Sequence, residues 1–175
     1  MSHRSAVNLM LQLALFIAAF VPMLLESNLA WRNERRLRAA GAIEPPDDVF
    51  AAMKFVYPLS FAAMVAESWI LQRTAPVTLS AGLVVFTLAK ALKYWAILTL
   101  GPRWTFRVLV PKDSTCIVDG PYRYMRHPNY IGVAGELSGF ALMAGAPFTG
   151  PTAVVLFVAL MLARIRVEER ALGLR

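Results

Sequence analysis

The residues best suited to chemistry lie in two short stretches. The first, Asp119 to Tyr130, reads Asp-Gly-Pro-Tyr-Arg-Tyr-Met-Arg-His-Pro-Asn-Tyr. It holds one of the chain's two histidines, three of its five tyrosines and two arginines. His127-Pro128 restricts the histidine to extended or turn geometry, and Pro128 suits the first turn of the apolar helix that follows. His127 would then stand at a helix N-terminus, beside free backbone donors and the positive end of the dipole, which favours an anionic group. Arg126 adds a guanidinium able to grip a carboxylate with two parallel hydrogen bonds. The second stretch, Arg164-Ile165-Arg166-Val167-Glu168-Glu169-Arg170, carries adjacent carboxylates. On a helix Arg164 and Glu168 are i,i+4 neighbours, and Arg166 and Glu169 are i,i+3 neighbours. If the two stretches meet, the carboxylates can take an ammonium and the Arg/His end a carboxylate, which makes a site for a zwitterion. Each stretch also has a plainer reading. Tyr122, Arg123 and Tyr124 suit an interfacial belt, and the second run suits a solvated helix end.

Two further candidates sit in apolar surroundings. Lys93 either snorkels to the interface or faces a cavity and orients an anionic, lipid-like molecule. Glu136 lies among Gly132, Gly135 and Gly139. The glycines point to close helix packing. Glu136 points to a polar cavity, with an ion pair to Lys90 or Lys93 as the alternative. Cys116 is the single cysteine, so no intramolecular disulfide and no cysteine-based metal site is available, and its thiol reads as incidental. No metal site is expected. His3 lies in a short polar leader, which leaves His127 as the histidine for site chemistry.

The elements that must position these residues are apolar. The 175 residues are 58% hydrophobic and 17% charged, against about 25% charged in ordinary soluble domains, and the apolar residues fall in long runs. The expected fold is an all-α integral membrane bundle of about five transmembrane helices, ending in a helical hairpin. The runs are Val7–Leu25, Phe50–Leu71, Leu79–Leu100, Ile131–Ala146 and Thr152–Arg164, the last continuing as a charged helix to Leu172. Val7–Leu25 reads as a retained span rather than a cleaved signal peptide. Glu26 to Gly41 is a basic juxtamembrane helix whose apolar stripe is interrupted at Asn33. Ala42–Asp48, Gln72–Thr78 and Lys112–Thr115 are turns or loops, Trp104–Val110 is extended or interfacial, and Ala146–Pro151 is a tight uncharged turn. Lys54 and Glu67, near the ends of the second span, can snorkel. One membrane domain is expected over 1–175: a first span with its basic helix (7–49), the second and third spans (50–100), and a loop, hairpin and C-terminal helix (101–175).

With five crossings, loop 26–49, loop 101–129 and the C-terminus share one side and hold thirteen basic residues, against Arg4 and Arg73 on the other. The positive-inside bias then turns both candidate stretches toward the cytoplasm. The net charge of +7 follows from the same loops. No groove-reading motif accompanies it, so nucleic acid is not an expected partner.

Gly-Pro-Tyr-Arg-Tyr-Met-Arg-His-Pro-Asn-Tyr-Ile-Gly at 120–132, followed by Arg-Ile-Arg-Val-Glu-Glu-Arg-Ala-Leu at 164–172, resembles the isoprenylcysteine carboxyl methyltransferase family. The resemblance extends upstream through Leu92-Lys93-Tyr94-Trp95 and Leu100–Thr105, covering roughly residues 80–175. Trp31–Leu37 and Gly41–Glu44 look like bacterial members, including ones that O-methylate long-chain alkylpyrones. The resemblance implies a membrane-embedded methyltransferase of the bacterial inner membrane using S-adenosylmethionine, with its site facing the cytoplasm. Carried over, Tyr122, His127, Pro128 and Tyr130 would line the cofactor pocket. Glu168 or Glu169 would meet the methionine moiety, braced by Arg164 or Arg166, while Arg126 and Lys93 would orient the acceptor. Where Lys93 stands the family often has an arginine, and Lys keeps the charge but loses the planar fork.

The expected reaction is direct in-line methyl transfer to an oxygen, a carboxylate or an enol hydroxyl, of a lipophilic acceptor that enters from the bilayer. Membrane lipids are further expected partners. Little chain follows Leu172, so a partner subunit of a homo-oligomer is a candidate to help close the pocket. Two alternatives stand beside this reading: N-methylation of a phospholipid, for which His127 would have to serve as base, and a non-catalytic membrane protein that binds lipid headgroups through its basic loops.

Overall fold

Apolar runs of this length fold as helices in a membrane because a helix satisfies its own backbone hydrogen bonds. The computed structural model describes residues 3–71, 76–111 and 117–173, and five long helices make up most of them: α1 (His3–Ala39), α2 (Phe50–Leu71), α3 (Pro76–Leu100), α4 (Pro128–Ala144) and α5 (Thr149–Ala171). Single 3-10 turns form at Gly101–Arg103 and Gly120–Arg123, and no strand is present among the described residues. Residues 72–75 of the Gln72–Thr78 turn, the Lys112–Thr115 turn, Cys116, and Arg73, Lys112 and Arg175 of the charge count lie outside the described residues.

The chain folds as an all-helical membrane bundle. Among the described residues four helices are long and apolar enough to cross a bilayer: α1, α2, α3 and α5. The fifth, α4, has 17 residues, about 25 Å at 1.5 Å per residue, and lies inside the bundle. Large apolar side chains face outward along the others, among them Ile17, Leu24, Leu59, Leu88, Leu98 and Val155, as lipid-facing surfaces require.

α3 begins at Pro76 rather than Leu79 and α4 spans Pro128–Ala144 rather than Ile131–Ala146; two other differences have a clear physical cause. The first span and the basic helix are one element: α1 runs unbroken for 37 residues through Pro22, roughly 55 Å, and begins at His3 within the expected leader. In a membrane a lone proline is tolerated because neighbouring groups take up the freed carbonyl. At the hairpin, α5 starts at Thr149 instead of Thr152. The reason is Glu67, which does not snorkel: it is 9% exposed and accepts hydrogen bonds from the Phe148 and Thr149 amides at 3.0 and 2.7 Å and from the Thr149 hydroxyl. A carboxylate at the orphan donors of a helix start sets where the helix begins, and Pro151 then falls in the first turn, where it costs nothing.

The α3–α4 contact is the most extensive between helices among the described residues, and glycine permits it. A Cβ on Gly139 would come within 2.5 Å of the Phe86 amide nitrogen, and one on Gly132 within 2.9 Å of Lys93 Cβ. Around this seam α4 buries Val133, Leu137, Phe140 and Met143 against Phe61 and Met64 of α2, Phe157 and Met161 of α5, and Leu15 of α1. Phe61 and Phe140 meet edge to face at 4.8 Å.

Four charges at membrane depth form one cluster. Lys93 Nζ donates to Glu26 Oε2 at 2.6 Å and to Glu136 Oε2 at 3.2 Å. Lys90 Nζ lies 3.0 Å from Glu26 Oε1 and 3.1 Å from Glu136 Oε1, the latter an ion contact without hydrogen-bond geometry. The Tyr57 hydroxyl also donates to Glu136. Two carboxylates and two ammonium groups balance, which removes the cost of an isolated charge in lipid. Glu136 is fully buried and answers to this ion cluster, so the ion-pair alternative describes it and the polar cavity does not. Glu26, the expected start of a separate basic helix, docks α1 onto α3 and α4 here.

Candidate active site

At the end of the bundle opposite Glu67, three loops and the C-terminal part of α5 converge. The turn Gly120–Arg123 folds back on the end of α3. Gly120 has φ +54°, and a Cβ there would lie 2.4 Å from Thr99 Oγ1, so only glycine fits. His127 precedes α4 with φ −129° and ψ 58°, and Pro128 takes the first helical position, as the His-Pro step predicts. The short turn after Ala144, stopped by Gly145 in the left-handed conformation, returns α5 so that its last turns lie beside α4's first.

The two polar stretches therefore meet. The Tyr130 hydroxyl donates to Glu168 Oε2 at 2.7 Å and accepts from Arg164 Nε at 2.9 Å. His127 Nε2 faces Glu169 Oε1 at 3.3 Å, and Arg126 reaches the same oxygen at 4.0 Å while staying largely solvent-exposed. Beside this network opens a cleft of about 360 Å³. Tyr122, Arg126, His127, Tyr130, Arg164 and Glu168 line it, with Trp104, Val108, Leu109, Val110, Ile117 and Leu172 as a largely apolar wall. Burial first, and the Glu168 carboxylate second, push the Tyr122 phenol well above its ordinary value, so it remains a neutral hydroxyl at physiological pH.

The remaining sequence candidates lie elsewhere. Pro128 is buried beneath the cleft. Glu169 is buried behind His127 and does not line the cleft. Arg166 is on the exposed face of α5, where its carbonyl accepts from Arg170. Lys93 belongs to the membrane-depth cluster and is 2% exposed. Arg123 and Tyr124 are exposed, as the interfacial-belt reading has them.

Several residues of the site gave little warning in the sequence. Asn33 is buried and donates to the Gly101 and Trp104 carbonyls at 3.2 and 2.8 Å, and Trp104 Nε1 donates to Asn129 Oδ1 at 3.4 Å. Arg107 pairs with Glu44 at 2.5 Å, and Val110 and Ile43 exchange backbone hydrogen bonds. Burial acts on Glu44 most strongly, raising its pKa, but hydrogen bonds from Arg107 and Arg38 outweigh it and hold the carboxyl below its ordinary 4.5. Asp48 bonds to Arg164 at 3.2 Å. The interruption of the α1 stripe at Asn33 and the Asp-rich approach to α2 were the available signals.

The family model of the isoprenylcysteine carboxyl methyltransferase (ICMT) family matches residues 81–173, more than half the chain and every residue that lines the cleft. The chain belongs to the isoprenylcysteine carboxyl methyltransferase family. Relatives agree in extent. An uncharacterized protein, YpbQ, of Bacillus subtilis (strain 168) is 30% identical over 148 residues, 84% of this chain and 88% of its own. An uncharacterized protein of Haemophilus influenzae (strain ATCC 51907 / DSM 11121 / KW20 / Rd) is 24% identical over 147 residues, 83% of this chain and 86% of its own. No solved structure matches the chain. Membership in this family, with the apolar helices, makes the protein a membrane methyltransferase in the general sense. The family match begins within α3, so Asn33, Glu44 and Asp48 come from a part of the chain that it does not cover.

Proposed function

We propose that the cleft binds S-adenosylmethionine and that the protein transfers its methyl group to an oxygen of a lipophilic acceptor. The observation that carries this reading is the joining of Tyr130, Arg164 and Glu168 in one hydrogen-bonded network at the edge of a cleft with an apolar wall. The residues fit the cofactor. About 360 Å³ lies in the range of small-molecule sites, roughly 300–1,000 Å³. Glu168 offers a carboxylate to an ammonium, and Tyr122, Trp104 and Val108–Val110 surround apolar and aromatic parts. When bound, S-adenosylmethionine supplies an electrophilic methyl group on a sulfonium.

The chain's own part is positioning and exclusion of water. Glu168, held by Tyr130, fixes the amino-acid end of the donor; Arg126 orients an anionic acceptor; the 104–111 wall keeps water from the transfer path. An ionised carboxylate or enolate needs no strong base, which suits a site whose Tyr122 stays protonated. Lys93, satisfied by two carboxylates, enters the proposal as a scaffold for α1, α3 and α4 rather than as a contact to the acceptor. The acceptor would enter from the bilayer and the cofactor from the cytoplasm of a bacterial inner membrane, the orientation the charge asymmetry favours. The test is a labelled-methyl assay on purified protein with isoprenylated cysteine, alkylpyrone and phosphatidylethanolamine as acceptors. Transfer to either of the first two supports the proposal. Transfer to phosphatidylethanolamine alone would replace O-methylation by N-methylation, and transfer to none of them refutes this acceptor class.

A further inference from the structure

Arg164 is a buried cation in the cleft, its side chain 7% exposed, and its natural partner by sequence is Glu168, one turn along the same helix. Its guanidinium instead reaches across to Asp48, in the loop between α1 and α2. That carboxylate is itself 5% exposed and does three things. Its Oδ1 accepts from Arg164 at 3.2 Å and from the Phe50 amide at 3.1 Å, at the start of α2. Its Oδ2 accepts from the Val108 amide at 3.0 Å, in the cleft wall. One side chain thus ties α2, α5 and the wall together, from a segment outside the family match.

We infer that Asp48 is a positioning residue for the cleft: by neutralising Arg164 it leaves the Glu168 carboxylate available to a cationic group of the ligand, and by its bond to Val108 it holds the wall in place. The inference rests on the reading of the cleft as a cofactor site. Opposite charges this close in a poorly solvated place pair strongly. Arg164 and Glu168 already share the Tyr130 hydroxyl, so without Asp48 they would pair, and that pairing would mask the charge that faces the ligand. Asp48, Arg164 and Glu168 together carry one net negative charge, and removing Asp48 brings the set to zero.

The test is a cycle of variants in the full-length protein, read by calorimetric titration with S-adenosylhomocysteine and by amide hydrogen exchange without ligand. Asp48→Asn, which keeps one acceptor oxygen but removes the charge, is expected to weaken binding about 10-fold. In the Arg164→Met background the same change is expected to cost clearly less, because the cation it neutralises is gone and only a bond to Phe50 or Val108 is weakened. Asp47→Asn, at an exposed pair with Arg170, leaves affinity unchanged. Asp48→Ala speeds exchange across residues 106–110 while the centres of α3 and α4 stay protected. Equal losses on both sides of the cycle would show that Asp48 does not act through Arg164 and would overturn the inference, as would an affinity within about 2-fold of wild type for Asp48→Asn. If the wild type binds no S-adenosylhomocysteine, the cofactor reading falls; the exchange arm still decides whether Asp48 holds the wall, and unchanged exchange at 106–110 overturns that.

Discussion

Removing one oxygen atom, in Tyr130→Phe, tests the site network with little disturbance to packing. The ring still packs on the bundle core and beside His127, with centroids 5.6 Å apart. Two hydrogen bonds disappear: the one donated to Glu168 at 2.7 Å and the one accepted from Arg164 at 2.9 Å. Hydrogen bonds to charged groups contribute about 1.5–3 kcal/mol each. Arg164 keeps Asp48, so its loss is partly compensated. Glu168 loses the contact that fixes its direction. The expected cost to ligand binding is therefore one such bond, roughly 10- to 150-fold in Kd. The assay is calorimetric titration of S-adenosylhomocysteine into wild-type and variant protein in the same detergent, with thermal unfolding followed in parallel. A small change in Tm with the stated loss of affinity supports the reasoning. Affinity within about 2-fold of wild type would refute the idea that Tyr130 orients Glu168 for the ligand.

Other outcomes follow from the same contacts. Lys93→Ala leaves Glu26 and Glu136 with Lys90 as their remaining cation in the cluster, and breaking a buried pair costs about 3–5 kcal/mol; a marked drop in Tm is expected, and normal stability with a raised acceptor KM would return Lys93 to the acceptor site. Gly139→Leu forces side-chain atoms against the α3 backbone at Phe86, where overpacking costs roughly 1–3 kcal/mol or more, read as loss of folded protein on size-exclusion chromatography. Glu67→Ala uncaps α5 at the end of the bundle away from the cleft, costing about 0.5–2 kcal/mol in thermal unfolding without changing S-adenosylhomocysteine affinity. Glu44 has a depressed pKa in the folded protein, so its contribution is complete above its ordinary value of 4.5 and is lost as pH falls through the folded value. Proteolysis of the 104–111 wall should therefore quicken below about pH 4.5, and Glu44→Gln should reduce that pH dependence.

What could be read from the sequence was local. Apolar runs gave the spans, and the His-Pro step placed His127 before α4, because both depend on neighbouring residues. The meeting of Tyr130 with Glu168 was also accessible, since a short hairpin leaves α5 nowhere else to return. Pairings between distant segments were not. Lys93 in a span suggests an acceptor contact, with an ion pair to Glu136 as the alternative for that carboxylate; the approach of Glu26 from α1, which completes the balanced cluster, has no local signal. Helical spacing sets Arg164 against Glu168 on its own helix, while Asp48, 116 residues away in sequence, holds its guanidinium. Periodicity carries no information about such partners, because the position of a loop depends on how the whole bundle packs.

The most direct measurement is calorimetric titration of S-adenosylhomocysteine into the purified wild-type protein, alongside Tyr130→Phe and Glu67→Ala. One binding site per chain is expected, weakened by the first substitution and untouched by the second. No detectable binding to well-folded wild-type protein, or equal binding by all three, would contradict the claim that this cleft is the cofactor site.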